Sequence, residues 1–310
     1  QLTTVNRQPL TFIPNFKIMK VAIYSRGGES VLASDLQNLT DELTKARITP
    51  VIHQDIFLQV RHELQQAADF AMFTGSEELD DTFDCVISLG GDGTLLDTVT
   101  LVRNKNIPVL GINFGRLGFL ASLGKENLEA AVQALVNRNY VVDQRTLIHV
   151  DADLPLFGDT PYGLNEFAIH KRDTSSMIKI HTYLNGEFLN TYWSDGLIVA
   201  TPTGSTGYSL SCNGPVVFPD SGSFVITPVA PHNLNVRSIV VPDNNIISFE
   251  VEGRTDQVIC ALDSRREIVN RKIQLAVRKE DFTISLVRLH EKNFLLTLRE
   301  KLAWGFDTRN

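Results

Sequence analysis

Two periodicities divide the chain. From Val21 to about Tyr140, short apolar runs alternate with stretches whose apolar residues recur at helical spacing. Val21-Ala22-Ile23-Tyr24 reads as a first strand, Leu32, Leu36, Leu39 and Leu43 as one face of a helix, and Pro50-Val51-Ile52 as a return to extended chain. Cys85–Leu89 reads as a buried strand, Thr94–Val102 as a helix, Pro108–Ile112 as another strand, and Leu128, Val132 and Leu135 as a further helix face. This βαβ succession predicts a parallel sheet covered by helices, with ligands beyond the carboxyl ends of its strands. Gly90–Thr94 and Asn113-Phe114-Gly115-Arg116 fall at such ends.

After about Asp143 the period shortens. Met177–Leu184, Asn185-Gly186 and Glu187–Tyr192 form a hairpin signal, because Asn-Gly suits the type I′ turn that matches strand twist. Short β-rich runs follow at 196–200, 224–227, 238–241, 246–251, 258–262 and 273–277. The expectation is an α/β N-terminal domain with a Rossmann-like parallel sheet, followed by an all-β, sandwich-like C-terminal domain. Residues 19–143 and 144–292 are the corresponding spans. Residues 1–18 read as a leader, an alternative upstream start or an added remnant, since Met19 looks like a natural start. The segment 293–310, with Phe294–Arg299, Trp304 and Phe306, is expected to pack back on the first domain.

Composition narrows the function. The 310 residues are 43% hydrophobic and 21% charged, enough for a full core, and the formal net charge of -7 argues against nucleic acid or an anionic membrane as partner. No apolar run is long enough to span a bilayer. Cys85, Cys212 and Cys260 have neither disulfide-framework nor zinc spacing, which fits the reducing cytoplasm.

The most informative stretch is Gly90-Gly91-Asp92-Gly93-Thr94, between the Cys85–Leu89 strand and the following helix. Glycines expose backbone N–H groups, and a helix start adds its positive end, so the loop suits an anion. Asp92 would be repelled by a phosphate unless a cation intervenes or the carboxylate accepts a proton from an attacking hydroxyl. The loop matches neither G-x-x-x-x-G-K-[ST] nor G-x-G-x-x-G. It also contains no lysine, so phosphate charge would fall largely to a metal ion. A plain tight turn is the competing reading.

A second constellation spans Ala200–Pro215, dense in hydroxyls and glycine, with Tyr208 offering a ring face. Composition alone would make this a Gly/Ser connection. Glu166 and Asp195 stand beside Asn165 and Gly196, where carboxylates are more often turn residues. His232 could donate to a phosphate, although a lone loop histidine is more often structural. Lys171-Arg172 and Arg265-Arg266 read as solvated charges.

Taken in order, Gly90–Thr94, Asn165-Glu166, Asp195-Gly196 and Thr201–Ser211 resemble the NAD kinase family over nearly all of residues 19–310. The first segment is shared with diacylglycerol and sphingosine kinases; the last is far more specific. The resemblance implies transfer of the terminal phosphoryl of ATP to the 2′-hydroxyl of the adenosine ribose of NAD, giving NADP, with Mg²⁺ bridging the ATP phosphates. It implies Asp92 as the group accepting or orienting the hydroxyl proton, with Gly93 close to the ligand. Asn165 and Glu166 would hold ribose hydroxyls, Asp195 the nicotinamide carboxamide, and Thr206, Gly207, Tyr208, Ser209, Leu210 and Ser211 the NAD pocket. Gly90, Gly91, Thr94 and His232 are the phosphate-side candidates, and a homodimer or homotetramer is implied. Two departures stand out. Many bacterial members carry glutamine where this chain has Arg265, and many carry a basic or histidine side chain near Ser176. A lipid kinase of the same superfamily and an NAD(P)-binding sensor without turnover are the alternatives.

Overall fold

The computed structural model describes residues 18–304 apart from 28–31, 66–68, 116–117, 122, 174–175 and 292. The segment ahead of Ile18, Arg116 and Phe306 lie outside the described residues.

The first half alternates strand and helix: β1 (Lys20–Tyr24), α1 (Ala33–Lys45), β2 (Thr49–His53), α2 (Gln54–Val60), β3 (Ala71–Phe73), β4 (Cys85–Leu89), α3 (Asp92–Val102), β5 (Val109–Ile112) and α4 (Leu128–Val136). The strands are parallel in the spatial order β5-β4-β1-β2-β3. All five residues of β4 are buried because helices cover both faces. Cys85, Ile87 and Leu89 join a core with α1 and α4, whereas Val86 joins the opposite core with Leu95, Val99 and Val102 of α3. On α1, Leu36, Leu39 and Leu43 are completely buried, each contributing about 2 kcal/mol. Leu32 departs from the expected face and is 61% exposed, because it precedes the helix in extended backbone. The short α2 escaped the sequence reading; the His53 ring accepts from the Asp55 N–H and caps it.

The second half comprises β6 (Val141–Ala152), β7 (Tyr162–Gly163), β8 (Glu166–Lys171), β9 (Ile178–Leu184), β10 (Glu187–Ser194), β11 (Gly196–Ala200), the single turn α5 (Tyr208–Ser211), β12 (Ser223–Val229), β13 (Ile239–Pro242), β14 (Ile247–Glu252), β15 (Gln257–Leu262), β16 (Arg265–Asn270), β17 (Leu275–Arg288) and α6 (Phe294–Leu302). The β9–β10 hairpin turns through Asn185 and Gly186, both at positive φ, as an I′ turn requires. Strand β17 starts two residues after the expected run and continues to Arg288, paired with β6.

Two sheets result. One is antiparallel, in the order β13-β12-β11-β8-β15-β16. The other runs β10-β9-β14-β17 and then, through the parallel Leu286–Val109 pairing, into β5-β4-β1-β2-β3, so one 11-stranded sheet serves both halves. β6 crosses position 143 within that sheet. The sandwich expected for the β-rich half is present, with Phe167, Ile169, Leu197, Val199, Phe224 and Leu262 facing Ile180, Tyr192, Phe249 and Val277 across a shared core. Asn293 caps α6 by accepting the Leu296 N–H, and the Phe294 ring meets Phe218 at 5.3 Å. Among the described residues no helix is long and apolar enough to cross a membrane.

Candidate active site

The carboxyl ends of β5, β4 and β1 lie side by side, bringing Asn113, Gly90–Asp92 and Arg26 together. Gly90 has φ +149°, and any Cβ there would strike the Thr94 side chain. Gly91 caps α3 without a side chain, and its carbonyl accepts the Thr94 and Leu95 N–H groups at 3.0 and 3.2 Å. Asp92 is the first residue of that helix. Its Oδ2 accepts the Phe119 N–H at 2.8 Å, and its Oδ1 accepts the Leu120 and Ala121 N–H groups at 3.0 Å each. The carboxylate is thus fixed by three consecutive backbone donors of the loop after β5.

Arg26, which sequence reading missed, stands beside this loop. Its Nη2 donates to Asp97 Oδ1 at 2.6 Å, its Nε to Asp97 Oδ2, and Nη2 also reaches Ser264 Oγ at 3.2 Å. No motif signals it, because the pairing spans 71 residues on the Asp97 side and 238 on the Ser264 side.

Ser264 belongs to the lining of a cavity of about 460 Å³ with Glu166, Ala168, His170, Tyr208, Ile259, Ala261, Asp263 and Arg266. Glu166 opens β8, and its Oε2 is buried without a hydrogen-bond partner. Burial, reinforced by the nearby Asp263 carboxylate, pushes its carboxyl group up to about 8. Gly207 lies close against Glu166 Oε2; a Cβ there would be 3.2 Å away, tighter than ordinary contact. The His170 and Tyr208 rings are 5.6 Å apart, and burial lowers the histidine's pKa, which keeps it neutral at physiological pH. Asn165 is held by its backbone: its N–H donates to Asp263 at 2.8 Å, its carbonyl accepts the Thr201 N–H, and Gly204 packs so closely on it that no side chain would fit.

Asp263 organises this wall. It occupies the turn between β15 and β16 and accepts the Leu164, Asn165 and Glu166 N–H groups at 2.7, 2.8 and 3.1 Å. Arg265 is not a solvated charge; it donates to the Thr160 and Tyr162 carbonyls and lies over the Phe157 ring. Lys171 likewise pairs with Asp195 at 2.5 Å, where β10 passes into β11. Arg266, by contrast, is an exposed part of the cavity wall.

The remaining candidates divide. The Thr206 hydroxyl is bonded to the Thr203 carbonyl, and the Ser209 hydroxyl is buried against Thr227 at 2.9 Å. Leu210 is half-buried and Ser211 exposed. His232 stacks on Trp193 with centroids 4.4 Å apart and donates its backbone N–H to the Trp193 carbonyl, so its contacts are with β10 and not with Gly90–Thr94. Ser176 lines a separate hollow with Trp193 and Arg254. Among the described residues no group of three or more His, Cys, Asp or Glu is placed to hold a metal ion.

Comparison with known proteins gives this geometry its setting. Residues 21–140 match the ATP-NAD kinase N-terminal domain and residues 164–289 the ATP-NAD kinase C-terminal domain. The NAD kinase of Cytophaga hutchinsonii is 51% identical over 276 residues, covering 89% of this chain and 94% of its own. That of Flavobacterium johnsoniae is 43% identical, covering 94% of this chain and 100% of its own. A yeast NADH kinase solved with NADH shares the fold at TM-score 0.83 and 22% identity, over 96% of this chain and 93% of its own. An NAD kinase from Archaeoglobus fulgidus solved with ATP superposes at TM-score 0.70 and 25% identity, over 92% of this chain and 99% of its own. With both domain models matched in order along the chain and relatives alike over nearly its whole length, the chain belongs to the NAD kinase family and has its kinase function.

Proposed function

We propose that the chain transfers the terminal phosphoryl group of ATP to the 2′-hydroxyl of the adenosine ribose of NAD, with the cavity holding the dinucleotide and the Gly90–Thr94 loop the donor. One observation carries this reading: a fixed carboxylate, Asp92, stands at the start of α3 on the side where Arg26 and Ser264 join the loop to the Glu166 cavity. Ribose hydroxyls are poor nucleophiles, and positioning together with partial proton removal is the help they need. Asp92 would orient the 2′-hydroxyl and accept its proton. Asn165 and Glu166 would take ribose hydroxyls, with Glu166 Oε2 as the buried atom awaiting a partner. Tyr208 and His170 supply ring surfaces for a base.

The residues fit a divalent cation, Mg²⁺ in the first instance, only as a companion of the donor's phosphates. Asp92 carries two backbone donors on Oδ1 and one on Oδ2, which leaves one acceptor position for the ribose hydroxyl, and Asp97 is paired with Arg26. Such a cation would neutralise phosphate charge. The cytoplasm is the proposed compartment, consistent with three unpaired cysteines, and a homodimer or homotetramer the proposed assembly.

The test is direct: purified chain with ATP and NAD, with and without Mg²⁺, assayed for NADP by chromatography. NADP formation supports the reading. Phosphorylation of diacylglycerol or sphingoid bases in place of NAD, or binding of NAD without product, would reject it.

A further inference from the structure

The Gly90–Thr94 loop has no cation of its own in sequence; the fold delivers one from the end of β1. Arg26 lies two residues beyond Tyr24, and β1 pairs directly with β4, which leads into the loop. The guanidinium lies over the first turn of α3: a Cβ at Gly93 would be 2.8 Å from Nη1 and 3.4 Å from Cζ. A side chain at 93 would have to displace the guanidinium. One edge of the planar group, Nε and Nη2, is anchored on Asp97, one helical turn beyond Gly93. Nη2 also holds Ser264. Nη1 makes none of these bonds.

The side chain remains 42% accessible, so the Arg26–Asp97 pair is open to solvent and contributes little to stability. Its geometry suits another use. With Nε and both Nη2 protons engaged, the two Nη1 N–H groups are the donors left, held in a fixed plane and able to reach phosphate oxygens.

We propose that Arg26 binds the donor: its Nη1 edge, held over Gly93 by Asp97 and Ser264, contacts the terminal phosphates of a nucleoside triphosphate seated at the first turn of α3. This rests on the reading that the Gly90–Thr94 loop takes the donor. In the transfer, the bond from the terminal phosphorus to its bridging oxygen breaks and the bond to the ribose 2′-oxygen forms. The hydroxyl proton passes to Asp92, and the diphosphate leaves with the electron pair of the broken bond. Charge gathers on that leaving oxygen, where a fixed cation stabilises it.

The test uses the full chain as wild type, Arg26→Gln and Arg26→Lys, with ATP and NAD varied separately and ATP binding measured alone by calorimetry. Arg26→Gln should raise the ATP KM and Kd about tenfold or more while the NAD KM stays within about twofold. Arg26→Lys keeps the charge but loses the planar group anchored on Asp97 and Ser264, and should fall between wild type and glutamine, at about threefold. If the glutamine variant does not fold, the lysine variant alone decides. An unchanged ATP KM, or equal rises in the ATP and NAD KM values as a purely structural tie would give, overturns the assignment. If wild type forms no NADP from ATP, the functional reading fails instead, so the two failures are distinguishable.

Discussion

Asp92 rests directly on Gly118: a Cβ at position 118 would overlap the carboxylate, while the next three residues donate their N–H groups to it. The loop after β5 therefore fixes the group proposed to serve the ribose hydroxyl. Gly118→Ala should lower kcat by about a hundredfold or more, because displacement of a reacting group by about 1 Å has that effect. Circular dichroism should remain that of the folded chain. Steady-state kinetics with kcat within about threefold of wild type would show that the Gly118 contact does not position Asp92.

The Glu166 carboxyl gives a pH signature. Its folded value is pushed up to about 8 from an ordinary 4.5, so between those values the folded chain holds a proton that the unfolded chain has released. Its contribution to stability therefore falls as pH rises through that window. Glu166→Gln removes the titration, so the variant's melting temperature should gain on wild type from pH 5 towards pH 8.5. Parallel curves for the two ligand-free proteins would refute the buried carboxyl's role.

Asp263 should matter as much as any cavity residue although it needs no ligand contact. Removing its carboxylate leaves three backbone N–H groups without their acceptor. Asp263→Ala should cost about 3 kcal/mol in urea denaturation, and Asp263→Asn less, since the amide keeps one acceptor oxygen. A loss below about 0.5 kcal/mol would mean that water replaces the carboxylate at no penalty.

The β9–β10 turn offers a check on the fold alone. Gly186 has φ +84° with open space around its Cα, so Gly186→Ala introduces backbone strain without a clash. About 1 kcal/mol of destabilisation is expected, with ATP and NAD kinetics unchanged. A neutral result in thermal melts would indicate that the turn relaxes.

How legible each part was depended on how local its cause is. Cys85–Leu89, the α3 and α4 faces and the Asn185-Gly186 hairpin follow from side-chain period and turn chemistry within about ten residues. Strand β17 was read short because its middle is the charged run Arg278-Lys279-Glu280-Asp281, which interrupts the apolar pattern, so only its start looks like a strand. Leu32 shows the limit of leucine spacing, which cannot tell a helix face from the extended residue before it. Among site residues, Asp92 and Glu166 were visible through motifs. Arg26 and Asp263 were not, because their partners lie far away in sequence and, for Asp263, are backbone groups that carry no side-chain signature. Arg265 was misjudged as solvated for the same reason: its acceptors are the carbonyls of Thr160 and Tyr162.

The most direct measurement compares NADP formation from ATP and NAD by wild type and Asp92→Asn, alongside NAD affinity by calorimetry. Asparagine keeps the shape but cannot take the hydroxyl proton. The account predicts NADP from wild type, turnover nearly abolished in the variant, and NAD affinity within about tenfold, or roughly 1.4 kcal/mol. Normal turnover by Asp92→Asn would contradict it.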